Sequence, residues 1–335
     1  MAIALLRSPQ YINTLAASGT LSHSLEISVG GTLRYTLLKN TTAATYVVWE
    51  WAELVRDYFT PTFTGVYPVD LIQVSLVMKS FTGLNGTGTA TTISTTPYDA
   101  MDGYGTFMEG VNPQNTITTG WLVCAKFPNN SGLATAGKSV IFIPAGVAGK
   151  VPSISEDIIR YQDYNTTNTT LELEGGDETT QLIIERIDCS KYGTGNKFTF
   201  LNKLGFLQDL YFFLKQVKTL NTTREHFQNN TLKTGQANVT YDTKQATKQS
   251  FNTEGTQSNT FSSGYYPEYA NCYFEEMLLS TSIWMTRPST TGSGNEIVPV
   301  MIKTSGMTYK TSLNNKLVEY TMEFEDAFDY INNVR

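Results

Sequence analysis

Hydrophobic and polar residues alternate with a period of two along most of this 335-residue chain. Leu25-Glu26-Ile27-Ser28-Val29 and Leu33-Arg34-Tyr35-Thr36-Leu37 flank Gly30-Gly31, and a two-residue glycine turn between alternating runs predicts a β-hairpin. After Asn40 the period changes. Val48, Trp51, Ala52, Val55 and Phe59 fall at i, i+3, i+4, i+7 and i+11, which predicts a short amphipathic helix over 48–59, closed by Thr60-Pro61. The apolar run 69–78 suits a buried strand, whereas the Gly/Thr-rich stretch 83–96 reads as an exposed loop or hairpin tip. Further strands are expected at 120–127, 139–144 and 181–188, with the polar NTTNTT run at 165–170 as a turn. Residues 1–190 therefore read as a β-sandwich or barrel domain crossed by one short helix.

Residues 191–335 read as an α+β domain. Lys197-Phe198-Thr199-Phe200-Leu201 and Leu210-Tyr211-Phe212-Phe213-Leu214 are strands of an aromatic hairpin over 197–215, separated by Asn202-Lys203-Leu204-Gly205. From 219 to 263 the chain turns polar, with apolar residues such as Phe251 isolated. Forty-odd structureless residues would be unusual inside a domain, so this segment is expected to be extended β structure that stays ordered against a neighbouring chain. Ala270, Tyr273, Phe274, Met277, Leu278 and Thr281 form a helical stripe, and Pro267-Glu268 suits a first turn, so a helix is expected over 267–280. Strands follow at 283–285, 297–303 and 317–324, the last with Val318, Tyr320, Met322 and Phe324 inward, and with an exposed loop at 289–295. The fold class is mainly β with a few helices.

Composition narrows the chemistry. Lys and Arg number 24 against 30 Asp and Glu, a formal charge of −6. A phosphate-backbone binder needs clustered positive charge, so direct nucleic-acid binding is not expected. Cys124, Cys189 and Cys272 are far apart and odd in number, and read as reduced and buried. His23 and His226 lie in polar contexts that read as surface positions, and with the cysteines they write no compact metal motif; neither metal nor cofactor is expected. The opening MAIALLRSPQ has no basic region and no cleavage site, so no signal peptide is expected, and no run approaches the length of a membrane span.

Phosphate-loop, dinucleotide, nucleophile-elbow, zinc-protease and EF-hand templates are all absent. Paired carboxylates, as in glycosidases, remain at Glu275/Glu276, Glu323/Glu325 and Asp99/Asp102. Adjacent helical residues diverge by about 100°, and alternating acids on an outer strand face are what solvation alone produces, so the chain is not expected to be an enzyme. The aromatic residues serve either sugar platforms or core and subunit contacts. Core or interface is the better reading for Trp49, Trp51, Tyr265 and Tyr266.

Two stretches carry a family resemblance. Residues 182–189 followed by KFTFLNKLGFLQDLYFFLK at 197–215 resemble the strand, NKxG turn and aromatic strand of virion structural proteins of tailed bacteriophages, notably those of marine and Bacteroidetes hosts. The helix EEMLLS from Glu275, the strand Ile283-Trp284-Met285, VPVMIK from Val298 and YTMEFE from Tyr320 are similar to the same group. The resemblance implies virion assembly in a tail hub, baseplate or neck ring. It implies a protein made in the host cytoplasm and carried in the virion, with copies of itself and other virion proteins as partners and no membrane. The expected function is a structural subunit of an oligomeric ring, with Phe198, Phe200, Tyr211, Phe212, Phe213, Tyr265, Tyr266, Tyr320 and Phe324 as candidate interface residues. The alternative is an adhesin or receptor-binding module that recognises host glycans through loops 83–96 and 289–295.

Overall fold

The computed structural model describes residues 3–41, 45–129, 135–175, 180–187, 195–233, 240–289, 292–309 and 317–331. Mainly β structure with few helices is what it shows, 52% strand against 8% helix. Ser22–Val29 and Thr32–Asn40 form the hairpin around Gly30-Gly31, whose φ angles of 57° and 78° are the positive values that this tight turn requires. Ile72–Phe81, Ala90–Met101, Ile3–Leu5 and Gln114–Asn115 extend the hairpin into a six-stranded sheet. Only the first part of 83–96 is a hairpin tip, and Ala90–Met101 is a strand paired with Ile72–Phe81. Its threonines are β-branched and favour strand, and because they face largely outward no apolar alternation announces them.

The expected helix over 48–59 is mostly a strand. Tyr46–Glu50 pairs with Tyr11–Leu15, and the α-helix covers only Ala52–Arg56. Val47 and Trp49 are buried while Val48 between them is exposed, so period two decides this segment. Val48, Trp51 and Val55 satisfied a helical template, but Val47, Trp49 and Trp51 satisfied a strand template equally well. Trp49, Trp51, Ala52 and Val55 then pack under the six-stranded sheet against Leu25, Ile27, Leu76 and Met78.

The larger sheet has seven antiparallel strands in the order Leu207–Phe212, Asn196–Leu201, Ile283–Pro288, Asn295–Ile302, Thr321–Asp326, Lys248–Ser262 and Gln216–Gln228. Two three-stranded sheets lie with it. Ser139–Pro144, Leu182–Ile187 and Thr170–Leu171 form one, and Ile158–Tyr164, Gly149–Ser155 and Gly120–Trp121 the other. The largest hydrophobic core joins Val140, Phe142 and Ile184 from this middle region to Phe198, Phe212, Phe274 and Phe324 from beyond residue 195. The expected helix over 267–280 is a 3-10 turn Glu268–Ala270 continued by an α-helix Asn271–Leu278. Its buried residues Ala270, Tyr273, Phe274 and Met277 are those of the expected stripe.

The Asn202-Lys203-Leu204-Gly205 turn is held by one side chain. Asn202 Oδ1 accepts from the N–H groups of Leu204 (3.1 Å) and Phe206 (3.0 Å), and its amide donates to Leu122 C=O (2.9 Å). Gly205, at φ +87°, sits where a Cβ would come within 3.1 Å of the Asp102 and Gly103 nitrogens. The turn thus docks tightly on the end of the six-stranded sheet.

The cysteines correct the sequence reading. Cys124 and Cys272 form a disulfide across a Cα separation of 6.0 Å, and Cys189 lies outside the described residues. Their sequence separation of 148 hid a proximity that exists only once the middle region packs on the helix. Closing so long a loop restricts the unfolded chain by about 5 kcal/mol on the loop-entropy account. Thiol titration of the denatured, unreduced chain is expected to find one free thiol, rising to three after reduction. Cys272→Ser is expected to lower stability by about 2–5 kcal/mol in chemical unfolding.

Candidate assembly surface

Gln216–Gln228 and Lys248–Ser262 form a long hairpin arm. Both are rich in Thr, Asn, Gln and Ser and free of proline, so β-branched and amide side chains favour an extended backbone without an apolar face. Only the root of the arm is held in the sheet. There Ser258–Ser262 pairs with Thr321–Asp326, and Phe261 is buried against Phe198, Phe212 and Phe324. Further out, Tyr330 N–H donates to Gly255 C=O at 2.9 Å. The other side of the arm has no such cover among the described residues. Every residue of Gln216–Gln228 is exposed, its only ladder partner among the described residues is Lys248–Ser262, and at 13 residues its open edge runs for about 40 Å. Val217, Leu220 and Phe227 stand exposed on it, and Phe227 packs on Phe251, which is also exposed, with ring centroids 6.0 Å apart.

Eight of the nine aromatic residues expected at an interface lie inside the chain. Phe198, Phe200, Tyr211, Phe212, Phe213, Tyr266, Tyr320 and Phe324 are all buried, and Tyr265 alone is exposed, at 61%. Two of the buried ring hydroxyls donate within the chain, Tyr266 to Tyr211 C=O (2.6 Å) and Tyr320 to Asn271 Oδ1 (2.9 Å). These residues supply the core that anchors the arm. Exposed apolar residues include those of the arm and, most exposed of all, Phe107 and Met108 at 98% and 91%. This last pair stands on a 3-10 turn whose capping box joins Thr106 and Glu109. Sequence reasoning missed them because a single apolar residue in a polar segment has no periodicity to mark it.

One cluster of ionisable groups centres on the buried Asp209. Asp209 accepts from Tyr67 Oη (2.6 Å) and Thr199 Oγ1 (2.7 Å) and lies 3.1 Å from Lys197 Nζ. Lys197 also donates to Tyr67 Oη at 2.6 Å, and burial, reinforced by Asp209, pushes the Tyr67 hydroxyl far above its ordinary pKa. The network closes on itself and fastens the first two strands of the large sheet. The carboxylate pairs have separate tasks. Asp102 binds Arg56 Nε (3.0 Å) and Thr281 Oγ1 (2.8 Å), while Asp99 lines a cleft with Arg34. Glu275 accepts from Tyr309 Oη, and Glu276 is buried on Lys203 N–H at 3.1 Å. Glu325 pairs with Lys303, while the Glu323 N–H donates to Thr304. His23, expected at the surface, is buried at 1% exposure in Ser22–Val29, with Nδ1 3.0 Å from Thr41 Oγ1. Burial lowers its pKa, and its neighbours in the strand misled because polar residues there also face inward. His226 is on the arm, exposed, beside Ser250 Oγ. Among the described residues no three His, Cys, Asp or Glu side chains gather as a metal site, and no helix is long and apolar enough to cross a membrane.

No protein-family model matches the chain, and no curated protein or solved structure is significantly similar to it.

Glu276 provides a measurable pH signature. Burial raises its carboxyl pKa to about 7, against the lowering effect of the Lys203 N–H and the Lys203 charge. The folded chain therefore keeps a proton that the unfolded chain releases near pH 4.5. Stability falls as pH rises from there to about 7, by a total of about 3 kcal/mol. Glu276→Gln is expected to flatten this slope and to raise the melting temperature at pH 8. An unchanged slope would show that Glu276 ionises normally.

Proposed function

We propose that this chain is a non-enzymatic structural subunit of a tailed-phage virion, building an oligomeric ring of the tail, hub, baseplate or neck with copies of itself and neighbouring virion proteins. One observation carries the assembly reading: the outer edge of Gln216–Gln228 is exposed from end to end. An open edge strand is a template for pairing, and natural proteins usually blunt one with proline, short length or a covering segment. The outer strand of the arm has no proline and 13 residues. A strand that adds to a neighbour gains main-chain hydrogen bonds along its whole length, and repetition around a ring multiplies modest contacts. The virion class rests on the resemblance of residues 182–215 and of the C-terminal strands, and the acidic charge suits self-assembly better than contact with a phosphate backbone.

One feature favours the glycan-binding alternative. A cleft of about 470 Å³ is lined by Arg34, Tyr58, Gln73 and Asp99, an aromatic ring among polar groups of both charges. Specific glycan-array binding that is lost in Tyr58→Ala would favour the adhesin.

The assembly reading is tested by removing the arm. Thr219 pairs with Ser258, so replacing residues 220–257 by Asn-Gly closes a two-residue hairpin and leaves the root intact. Light scattering and native mass measurement are expected to show the full chain assembling and the armless chain monomeric, with little change in melting temperature. Equal assembly of both would remove the arm from the account.

A further inference from the structure

The direction of each backbone group on the open strand is fixed. At the root Ser262 N–H donates to Lys215 C=O at 3.0 Å, and beyond the far end Asn229 N–H donates to Thr247 C=O at 2.7 Å. Antiparallel ladders direct every second residue toward the partner strand. Odd-numbered residues therefore bond to Lys248–Ser262, and even-numbered residues from Gln216 to Gln228 turn their N–H and C=O groups outward. The register shift in the arm preserves this phase on the outer strand. Glu225 pairs with Asn252 and His226 with Ser250, so the extra residue, Phe251, belongs to the inner strand.

We propose that two copies of this chain join edge to edge through their Gln216–Gln228 strands, antiparallel, about a two-fold axis at Thr222. The proposal rests on the assembly reading for the claim that copies associate, and adds which surface meets which. A two-fold axis sets residue i opposite j with i + j constant, and outward groups meet outward groups only when both are even. The register that uses the whole strand places Gln216 opposite Gln228 and Thr222 opposite its own copy. In that register Val217 meets Phe227, Leu220 meets the stem of Arg224, Thr219 meets Glu225 and Lys218 meets His226. No two Lys or Arg side chains, and no two carboxylates, are opposed. The register shifted by two residues that sets Lys218 opposite Arg224 opposes two cations in each half of the pair, which is unfavourable. The exposed Val217 and Phe227 thus find an apolar partner in the same sequence.

The test uses the full chain. Thr222→Pro removes an outward N–H from each copy at the axis and spares the inward ladder, as an edge position allows. Sedimentation equilibrium is expected to show pairing weakened about 10-fold or more at an unchanged melting temperature. Thr222→Cys is expected to give a covalent dimer under mild oxidation, whereas Leu220→Cys links only when mixed with Arg224→Cys, and the unmodified chain does not link. A chain that associates yet ignores Thr222→Pro, with Thr222→Cys failing to link, overturns the pairing and leaves assembly standing. A chain that stays monomeric at all concentrations overturns the assembly reading itself, and the pairing with it.

Discussion

Four phenylalanine rings from the first, second, fifth and sixth strands of the large sheet meet in its core and hold the rest of this structure in place. Phe198 stacks on Phe324 at 4.4 Å and meets Phe212 and Phe261 edge-on, each at 5.1 Å. They come from four strands spread over 126 positions of sequence, 198 to 324. Burying an aromatic ring is worth several kcal/mol, and truncating one in a core typically costs about 3–5 kcal/mol. Phe261 is the one that links the cluster to the arm. It sits at the root of the arm, so the cluster that closes the core also fixes the direction in which the arm leaves it.

The polar interior works with that cluster. Asp209, Lys197, Thr199 and Tyr67 satisfy one another inside the protein, and a closed network of this kind specifies one arrangement of strands because any other leaves a buried charge unpaired. Asp102 and the Asn202 turn tie the six-stranded sheet to the C-terminal region, and the Cys124–Cys272 bridge ties the middle region to the helix. Together these contacts join the sheets, the middle region and the helix into one packed body from whose edge the arm extends.

Much of this was legible in the residues. The glycine-turn hairpin, the inward face Val318, Tyr320, Met322 and Phe324, and the stripe Ala270, Tyr273, Phe274 and Met277 all follow from periodicity, which reports which side of an element meets apolar surroundings. Periodicity failed where two templates fitted the same residues, as at Val47 to Trp51. It also failed where a strand faces water on its visible side, as in the threonine run that opens Ala90–Met101. The aromatic residues showed that large rings are buried somewhere, yet period and composition are blind to whether the covering surface belongs to the same chain. Hence eight of the nine expected interface rings are core, and Tyr265 is exposed.

The class of the fold, the inward faces of its strands and the helical stripe could be read along the chain, because they depend on residues within a few positions of one another. That Cys124 meets Cys272, that His23 is interior, that Phe198 and Phe324 stack, and that the outer edge of Gln216–Gln228 is unpaired among the described residues emerged only in the folded molecule. Each of these is a relation between segments brought together by packing, and distance along a chain carries no measure of distance across a core.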